Sequence, residues 1–453
     1  FFATLSFVFQ SVRRTLFLSP QRRLWCKIKK SILNETEGGR IVRKWFKGLA
    51  ALALAINMMP ALSIKAEEEL NLDGESAVLI DADSGAVLYE KNADDRHYPA
   101  SITKIMTVYL ALSQGNPDQM LTATDTAIDN IDRKSSHIWL DYGEELSLKD
   151  ACYAAVMASA NDASNVLAEA IGGSQEEFSG LMNEAAAAAG AKNTHFANAH
   201  GLPDEDHYTT AYDMAMITRM AMKNAAFAEV FGTVKYEMQP TNKQKDVRYF
   251  ASGNDMLKKG EFFYEYATGG KIGWTEDAGY TIVTTASKDG VNLIAVVLKN
   301  SNKNARYTDT RALFDYGFAN YKQITIPASS FEEKTIEIKK RGQLWATAKF
   351  KMSYDFKILA KTNDDESQYT ASVIVENEKD PDTVQAYAIL NKNGAEIARQ
   401  AMEKELEVND ISFKATTWPI IQKGLDLFSV GVFVLFMGLF LIAALGRINR
   451  RRS

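Results

Sequence analysis

The sequence predicts an α+β protein: one antiparallel sheet with helices packed on it, then a small all-β domain and a C-terminal transmembrane helix. Three observations carry that expectation. Strand patterns stand at both ends of the stretch 71–321, with helical patterns between them. Residues 325–415 then alternate apolar and polar side chains with a period near two. Last, Leu427 to Gly446 carries no charge over 20 residues, and a helix of that length matches the ~30 Å core of a bilayer.

The N-terminal part separates first. Residues 1–42 are basic, lack coherent periodicity and precede the first methionine, Met58. They read as an upstream extension, with the natural start expected near Val42. Residues 43–66 read as a secretory signal peptide. Arg43, Lys44 and Lys47 give the positive start, Leu49 to Leu62 the apolar run, and Ala66 the small residue before Glu67-Glu68-Glu69. That run is shorter than a span of ~20 residues requires, so cleavage after Ala66 is expected.

The main domain is expected over 67–323. Residues 76–89 form two apolar runs around Asp83-Ser84-Gly85, a hairpin signal. Residues 100–223 are mostly helical in pattern, with Ala-rich stretches such as Ala185 to Ala189. A second hairpin follows, Gly279 to Lys299, turning at Lys288-Asp289-Gly290. Arg306 to Tyr321 reads as a closing helix. The β-rich domain, 324–415, contains Thr335 to Lys339, Ala346 to Lys351 and Ser372 to Glu376 as strands and shows no cluster suggesting chemistry. Residues 416–426 link it to the span at 427–446. Arg447, Arg450, Arg451 and Arg452 lie in the tail 447–453, which the positive-inside rule places in the cytoplasm and the body outside.

Charge narrows the partners. The net charge is −5, yet residues 1–66 hold twelve Lys/Arg against two Glu, leaving the remainder near −15. An acidic body without a basic stripe argues against nucleic acid. The two cysteines are Cys26 and Cys152; with the leader removed only Cys152 stays, so no disulfide framework is expected, and it reads as a buried, inert thiol. His97, His137, His195, His200 and His207 form no recognisable metal spacing. His200 and His207 flank Asp204, Glu205 and Asp206, which reads as a solvated acidic loop. No Gly-rich phosphate loop occurs.

Three short motifs carry the chemistry. Ser101-Ile102-Thr103-Lys104 sets a hydroxyl and an amine three residues apart, which on a helix share a face. Pro99 suits the first turn of that helix, where free N–H groups favour developing negative charge. Ser159-Ala160-Asn161 adds a second hydroxyl and a side-chain amide after the apolar run Ala151 to Ala158. Lys271-Ile272-Gly273 begins a strand pattern, with a cation and a glycine that lets a substrate lie against the backbone. Each alone has an ordinary structural reading: a capping serine with a solvated lysine, a polar helix-to-helix turn, an exposed strand start.

In this order the motifs resemble those of the serine D-Ala-D-Ala carboxypeptidases, the low-molecular-mass penicillin-binding proteins. The resemblance spans about residues 71–415 and includes Gly201-Leu202-Pro203, Thr209 to Ala215, Trp274 to Tyr280 and Arg306-Tyr307-Thr308-Asp309. It implies a DD-peptidase/serine β-lactamase-like fold and a membrane-anchored enzyme on the extracytoplasmic side of a bacterial cell. Its substrate would be a peptidoglycan stem peptide ending in D-Ala-D-Ala, and β-lactam antibiotics would acylate the same serine. The resemblance makes Ser101 the nucleophile and Lys104, when neutral, its base. Ser159 would relay a proton to the leaving nitrogen, and Asn161 would hold the substrate amide and orient Lys104. Lys271, Ile272, Gly273 and Trp274 would line the substrate, with the N–H groups of Ser101 and Trp274 as the oxyanion hole. No metal or cofactor is implied.

One position departs from the pattern. Ile272 stands where the family usually has threonine, whose hydroxyl helps bind the terminal carboxylate. Losing it predicts a weakened enzyme with nucleophile, base and oxyanion donors intact. Two other functions compete. A serine β-lactamase shares the motifs, but its extra deacylating glutamate is not identifiable here. A penicillin-binding scaffold crippled at Ile272 is the non-enzymatic alternative.

Overall fold

A five-stranded antiparallel sheet organises the computed structural model, which describes residues 70–409 apart from residue 341. Its order is β2-β1-β9-β8-β7, with β1 Ser76–Asp81, β2 Val87–Lys91, β7 Ala267–Thr275, β8 Gly279–Lys288 and β9 Val291–Asn300. Both hairpins expected from the sequence are present, β1 with β2 and β8 with β9. The last strand of the chain order within this sheet pairs with the first, Val78 opposite Val296, so the two ends of the domain close on each other.

The central strands are covered on both faces, which is why β1 and β9 read as continuous apolar runs. The pleat divides their side chains between two cores. Val78, Ile80, Ile294, Val296 and Leu298 join the helices on one face. Ala77, Leu79, Leu293, Ala295 and Val297 meet Tyr307, Leu313 and Phe314 of a helix on the other.

Eight α-helices fill the described catalytic part: α1 Lys104–Gln114, α2 Asp125–Asp129, α3 Leu148–Met157, α4 Asn161–Gly172, α5 Gln175–Ala188, α6 Ala211–Ala221, α7 Ala225–Gly232 and α8 Ala305–Asn320. Local chemistry fixes their starts. Thr124, Ser147, Ser174, Thr210 and Asn224 each accept a backbone N–H from the first turn that follows. Helix α1 is buried nearly all round, including Lys104 and Thr107, so its polar groups must find partners inside. Small strands lie between: β3 Met120–Thr122 with β4 Glu145–Ser147, and β5 Lys235–Met238 with β6 Arg248–Ala251.

Helix α8 runs straight into the β-rich part. There β10 Tyr321–Ile326 pairs with β13 Phe356–Lys361. Strands β11 Lys334–Lys340, β12 Gln343–Lys351 and β17 Glu403–Val408 form one sheet. Strands β14 Tyr369–Glu376, β15 Gln385–Lys392 and β16 Ala395–Ala401 form another. Alternate residues of the two sheets, among them Ile338, Ala346, Ala348, Phe350, Ala386, Ala388 and Leu390, share one apolar core. The predicted signal peptide at 43–66 and membrane span at 427–446 lie outside the described residues. Among the described residues no helix is long and apolar enough to cross a membrane.

Candidate active site

Ser101 stands on a 3-10 turn, Ala100–Thr103, immediately before α1. The sequence placed it in the first turn of an α-helix; the α-helix instead begins at Lys104. Ala100 has φ +51°, a left-handed conformation that an α-helical run does not accommodate. Neighbours hold this strained turn. Thr103 Oγ1 donates to Ala100 O at 2.8 Å, and Thr281 Oγ1 to Pro99 O at 2.9 Å. Gly201, at φ +87°, packs so tightly that a Cβ there would lie 2.0 Å from Ala100 O.

Lys104 is fully buried, with 0% exposure. Its Nζ lies 2.6 Å from His200 O, 2.7 Å from Asn161 Oδ1 and 3.1 Å from Ser101 Oγ. A neutral amine has two hydrogens and one lone pair. The two shortest contacts are to atoms that can only accept, so they take the two hydrogens. The lone pair is left for the Ser101 hydroxyl. Burial, with the nearby Lys271 cation, pushes the Lys104 amine well below its ordinary range, opposed only by Asp162.

The second hydroxyl, Ser159, sits at φ +57° in the bend between α3 and α4. Lys271 Nζ donates to its Oγ at 3.0 Å and to Ile272 O at 2.9 Å. Lys271 is buried in the middle of edge strand β7, not at a strand start as its sequence surroundings implied. Burial and the Arg306 guanidinium push its amine down to about 7. The same strand passes close to the nucleophile: a Cβ on Gly273 would lie 2.8 Å from Ser101 N and 2.4 Å from Thr281 Oγ1. Only glycine lets β7 lie this near to Ser101. Ile272 faces the opposite way, against the core that contains Ile282 and Met256, with its Cδ1 beside Gly253. Trp274 is largely exposed at the end of the strand.

The three motifs therefore converge on one place, with an amine on each hydroxyl. A match to the family model for D-alanyl-D-alanine carboxypeptidases covers residues 63–302. The chain belongs to this family. It is similar to D-alanyl-D-alanine carboxypeptidase DacF of Bacillus subtilis (strain 168), 33% identical over 310 residues, covering 67% of this chain and 77% of that protein. DacC of Escherichia coli (strain K12) is 31% identical over 291 residues, covering 62% of this chain and 70% of the relative. Among solved structures, penicillin binding protein 5 from Haemophilus influenzae superposes with a TM-score of 0.61 at 27% identity, covering 75% of this chain and 98% of that one. The carboxypeptidase is thus a serine-type peptidase, a hydrolase.

Several groups around the carboxypeptidase site escaped the motif reading. Asn161 Nδ2 donates to Ser135 Oγ at 2.8 Å, and Asn161 N to Ser136 O, so the loop before α3 supports the amide. The Asp162 carboxylate, at the start of α4, accepts N–H groups from Ile138 and Leu140 of that same loop. His200 and His207 read as the flanks of a solvated loop, but both rings are buried and burial pushes each down to about 3. They are neutral hydrogen-bonding groups. His207 Nδ1 accepts from Ala197 N, so its Nε2 donates to Thr103 Oγ1 at 2.8 Å, which in turn holds Ala100 O. Among the described residues no group of three or more His, Cys, Asp or Glu could hold a metal ion. Cys152 is free and buried in α3, and burial pushes its thiol up.

Arg306 is the other group that sequence alone left without a role. It is buried, with Nη2 donating to the Tyr307 hydroxyl at 3.0 Å, Nη1 3.5 Å from Gly273 O and Nε without a partner. A buried cation with spare donors beside β7 suits an incoming carboxylate.

Proposed function

We propose that the chain removes the terminal D-Ala from peptides ending in D-Ala-D-Ala, through an acyl-enzyme on Ser101. The observation that carries this reading is the Lys104 amine, whose two hydrogens are committed to His200 O and Asn161 Oδ1 while its lone pair meets Ser101 Oγ. Ser101 attacks the penultimate carbonyl and gives its proton to Lys104. The Ser101 and Trp274 N–H groups hold the oxyanion, and Ser159, charged by Lys271, protonates the leaving nitrogen. Lys271 and Arg306 hold the terminal carboxylate. Water then enters and releases the shortened peptide. A β-lactam acylates Ser101 by the same route. The test is direct: D-Ala release from diacetyl-Lys-D-Ala-D-Ala, and a single penicillin adduct on the intact protein by mass. Neither release nor adduct from folded protein would sink the reading and favour a scaffold role.

Ile272 bears on turnover within this reading. Its half-buried side chain packs beside Gly253 and brings no donor to the strand, while the Nε of Arg306, whose Nη1 lies 3.5 Å from Gly273 O, is bare. A hydroxyl there is worth about 1–3 kcal/mol when it serves a charged acceptor. Ile272→Thr is expected to raise kcat/KM for the D-Ala-D-Ala peptide by about 5- to 150-fold. An unchanged or lower kcat/KM in a variant that still takes up penicillin would reject this account of Ile272.

We further propose that the run Leu427 to Gly446 holds the enzyme in the membrane with the site on the outer, extracytoplasmic face. A chain ending at residue 423 should leave the membrane fraction; retention there would exclude this anchor.

A further inference from the structure

The peptide bond between Ala100 and Ser101 has two working ends. Its N–H belongs to Ser101 and is one of the two oxyanion donors in the mechanism above. Its carbonyl, Ala100 O, points the other way in the same plane. A trans peptide is planar, so whatever holds the C=O also sets the direction of the N–H. No α-helix fixes that direction, because Ala100 has φ +51° and α1 begins only at Lys104. Side chains must fix it.

The carbonyl end is enclosed. Thr103 Oγ1 donates to Ala100 O at 2.8 Å. A threonine hydroxyl in this position could also choose the carbonyl one residue earlier, but Pro99 O is already held by Thr281 Oγ1 at 2.9 Å. Gly201 closes in as well, since a Cβ there would lie 2.0 Å from Ala100 O. Behind Thr103 stands His207. Both residues are buried, at 0% and 1% exposure. His207 Nδ1 accepts from Ala197 N at 3.1 Å, which leaves the hydrogen on Nε2, 2.8 Å from Thr103 Oγ1. With one lone pair taken by that N–H, the hydroxyl hydrogen is directed to Ala100 O. The chain from His207 Nε2–H through Thr103 Oγ1–H to the Ala100 carbonyl runs one way, and bonds in such a chain polarise one another. Its last link draws charge from the amide and makes the Ser101 N–H a stronger donor.

We propose that His207 is a positioning residue for the oxyanion hole, acting through Thr103 and the Ala100 carbonyl to aim and polarise the Ser101 N–H. The inference rests on the acyl-transfer reading above, in which that N–H meets the developing oxyanion. An interaction of this kind strengthens in the transition state, so it governs the rate of acylation and leaves ground-state affinity alone.

The experiment follows acylation of the full chain by penicillin and separates the noncovalent dissociation constant from the first-order acylation rate. The ester carbonyl stretch of the penicillin adduct, isolated by isotope-edited infrared difference spectra, reports the pull of the oxyanion hole. Thr103→Val should slow acylation by about 10- to 100-fold, short of the 10²–10³ for a donor removed outright. His207→Phe should cost about tenfold, the worth of one ordinary hydrogen bond. In both, the dissociation constant should hold and the carbonyl stretch should move to higher wavenumber. His207→Gln, which returns an N–H donor, should recover most of the rate. The double variant should be no slower than Thr103→Val, because both changes act on one chain of contacts. Adducts counted per chain by mass refer every rate to the active fraction. Thr103→Val keeps the β-branch and carries the test if His207→Phe does not fold. Unchanged rates in the adduct-forming fraction, a loss confined to the dissociation constant, or an unmoved carbonyl stretch would overturn the proposal. No adduct in wild type would instead overturn the underlying mechanism.

Discussion

Ser101→Ala is expected to abolish the penicillin adduct and to lower D-Ala release by about 10⁴-fold or more, the scale seen when a serine nucleophile is removed from a preorganised site. The size follows from the division of labour around it. Lys104 has one lone pair, and among the described residues the only hydroxyl it meets is that of Ser101. The second hydroxyl, Ser159, is held by Lys271, whose amine donates to it. A group that accepts a hydrogen bond from an amine is not being activated by it as a nucleophile. Ser159 therefore cannot take over. The backbone should survive, because the turn is held through Thr103, Thr281 and Gly201, none of which uses the Ser101 hydroxyl. Intact mass after penicillin treatment, beside a thermal melt, measures both halves of the expectation. A retained adduct with an unchanged melt would assign the nucleophile elsewhere.

The motifs were legible in sequence because each is local: hydroxyl, amine and amide at fixed short spacing. The sheet was legible for a similar reason. Its two hairpins carry turn residues at Asp83-Ser84-Gly85 and Lys288-Asp289-Gly290 between apolar runs. What supports the motifs was less visible. The His200 carbonyl that orients Lys104 is a backbone group, and any residue could supply it. His207 acts on Ala100 through Thr103, and the first of those two contacts alone crosses 104 positions of sequence. An acidic stretch beside it, Asp204 to Asp206, suggested solvent, whereas the ring turns inward. Lys271 looked like the start of a strand because Gly269-Gly270 precede it. In the fold those glycines pack beneath Phe231 and Asn254, so the strand runs through them. The left-handed Trp139, at φ +58°, gave no signal at all, and the Asp162 carboxylate that holds the N–H groups of Ile138 and Leu140 on either side of it is reached only in three dimensions.

Replacing the base is the second decisive change. Lys104→Met keeps an unbranched side chain of similar length and removes the amine. Acylation should fall by at least about 10³-fold, since a positioned base contributes about 10²–10⁴ and the neighbouring groups lose their alignment as well. Lys104→Arg should not rescue it, because a guanidinium does not give up its proton near neutral pH. The pH dependence follows from the same burial. Lys104 must be neutral to accept the Ser101 proton, so acylation in wild type declines as pH falls through its lowered pKa. Lys271, pushed down to about 7, titrates beside it, and each cation disfavours the other. The acid limb therefore belongs to the pair. Stability carries the opposite signature of an ordinary ion pair. Between the depressed pKa of the fold and the ~10.4 of an unfolded lysine, the unfolded chain binds one proton more at Lys104. Stability from this residue accordingly rises with pH across that window and is lost as pH falls through it. Lys104→Met should remove that slope, while leaving Asn161 Oδ1 and His200 O without their donor. Unfolding midpoints of the two proteins at several pH values measure the difference. Parallel curves, with acylation still declining on the acid side in Lys104→Met, would show that the proton in question sits on another group.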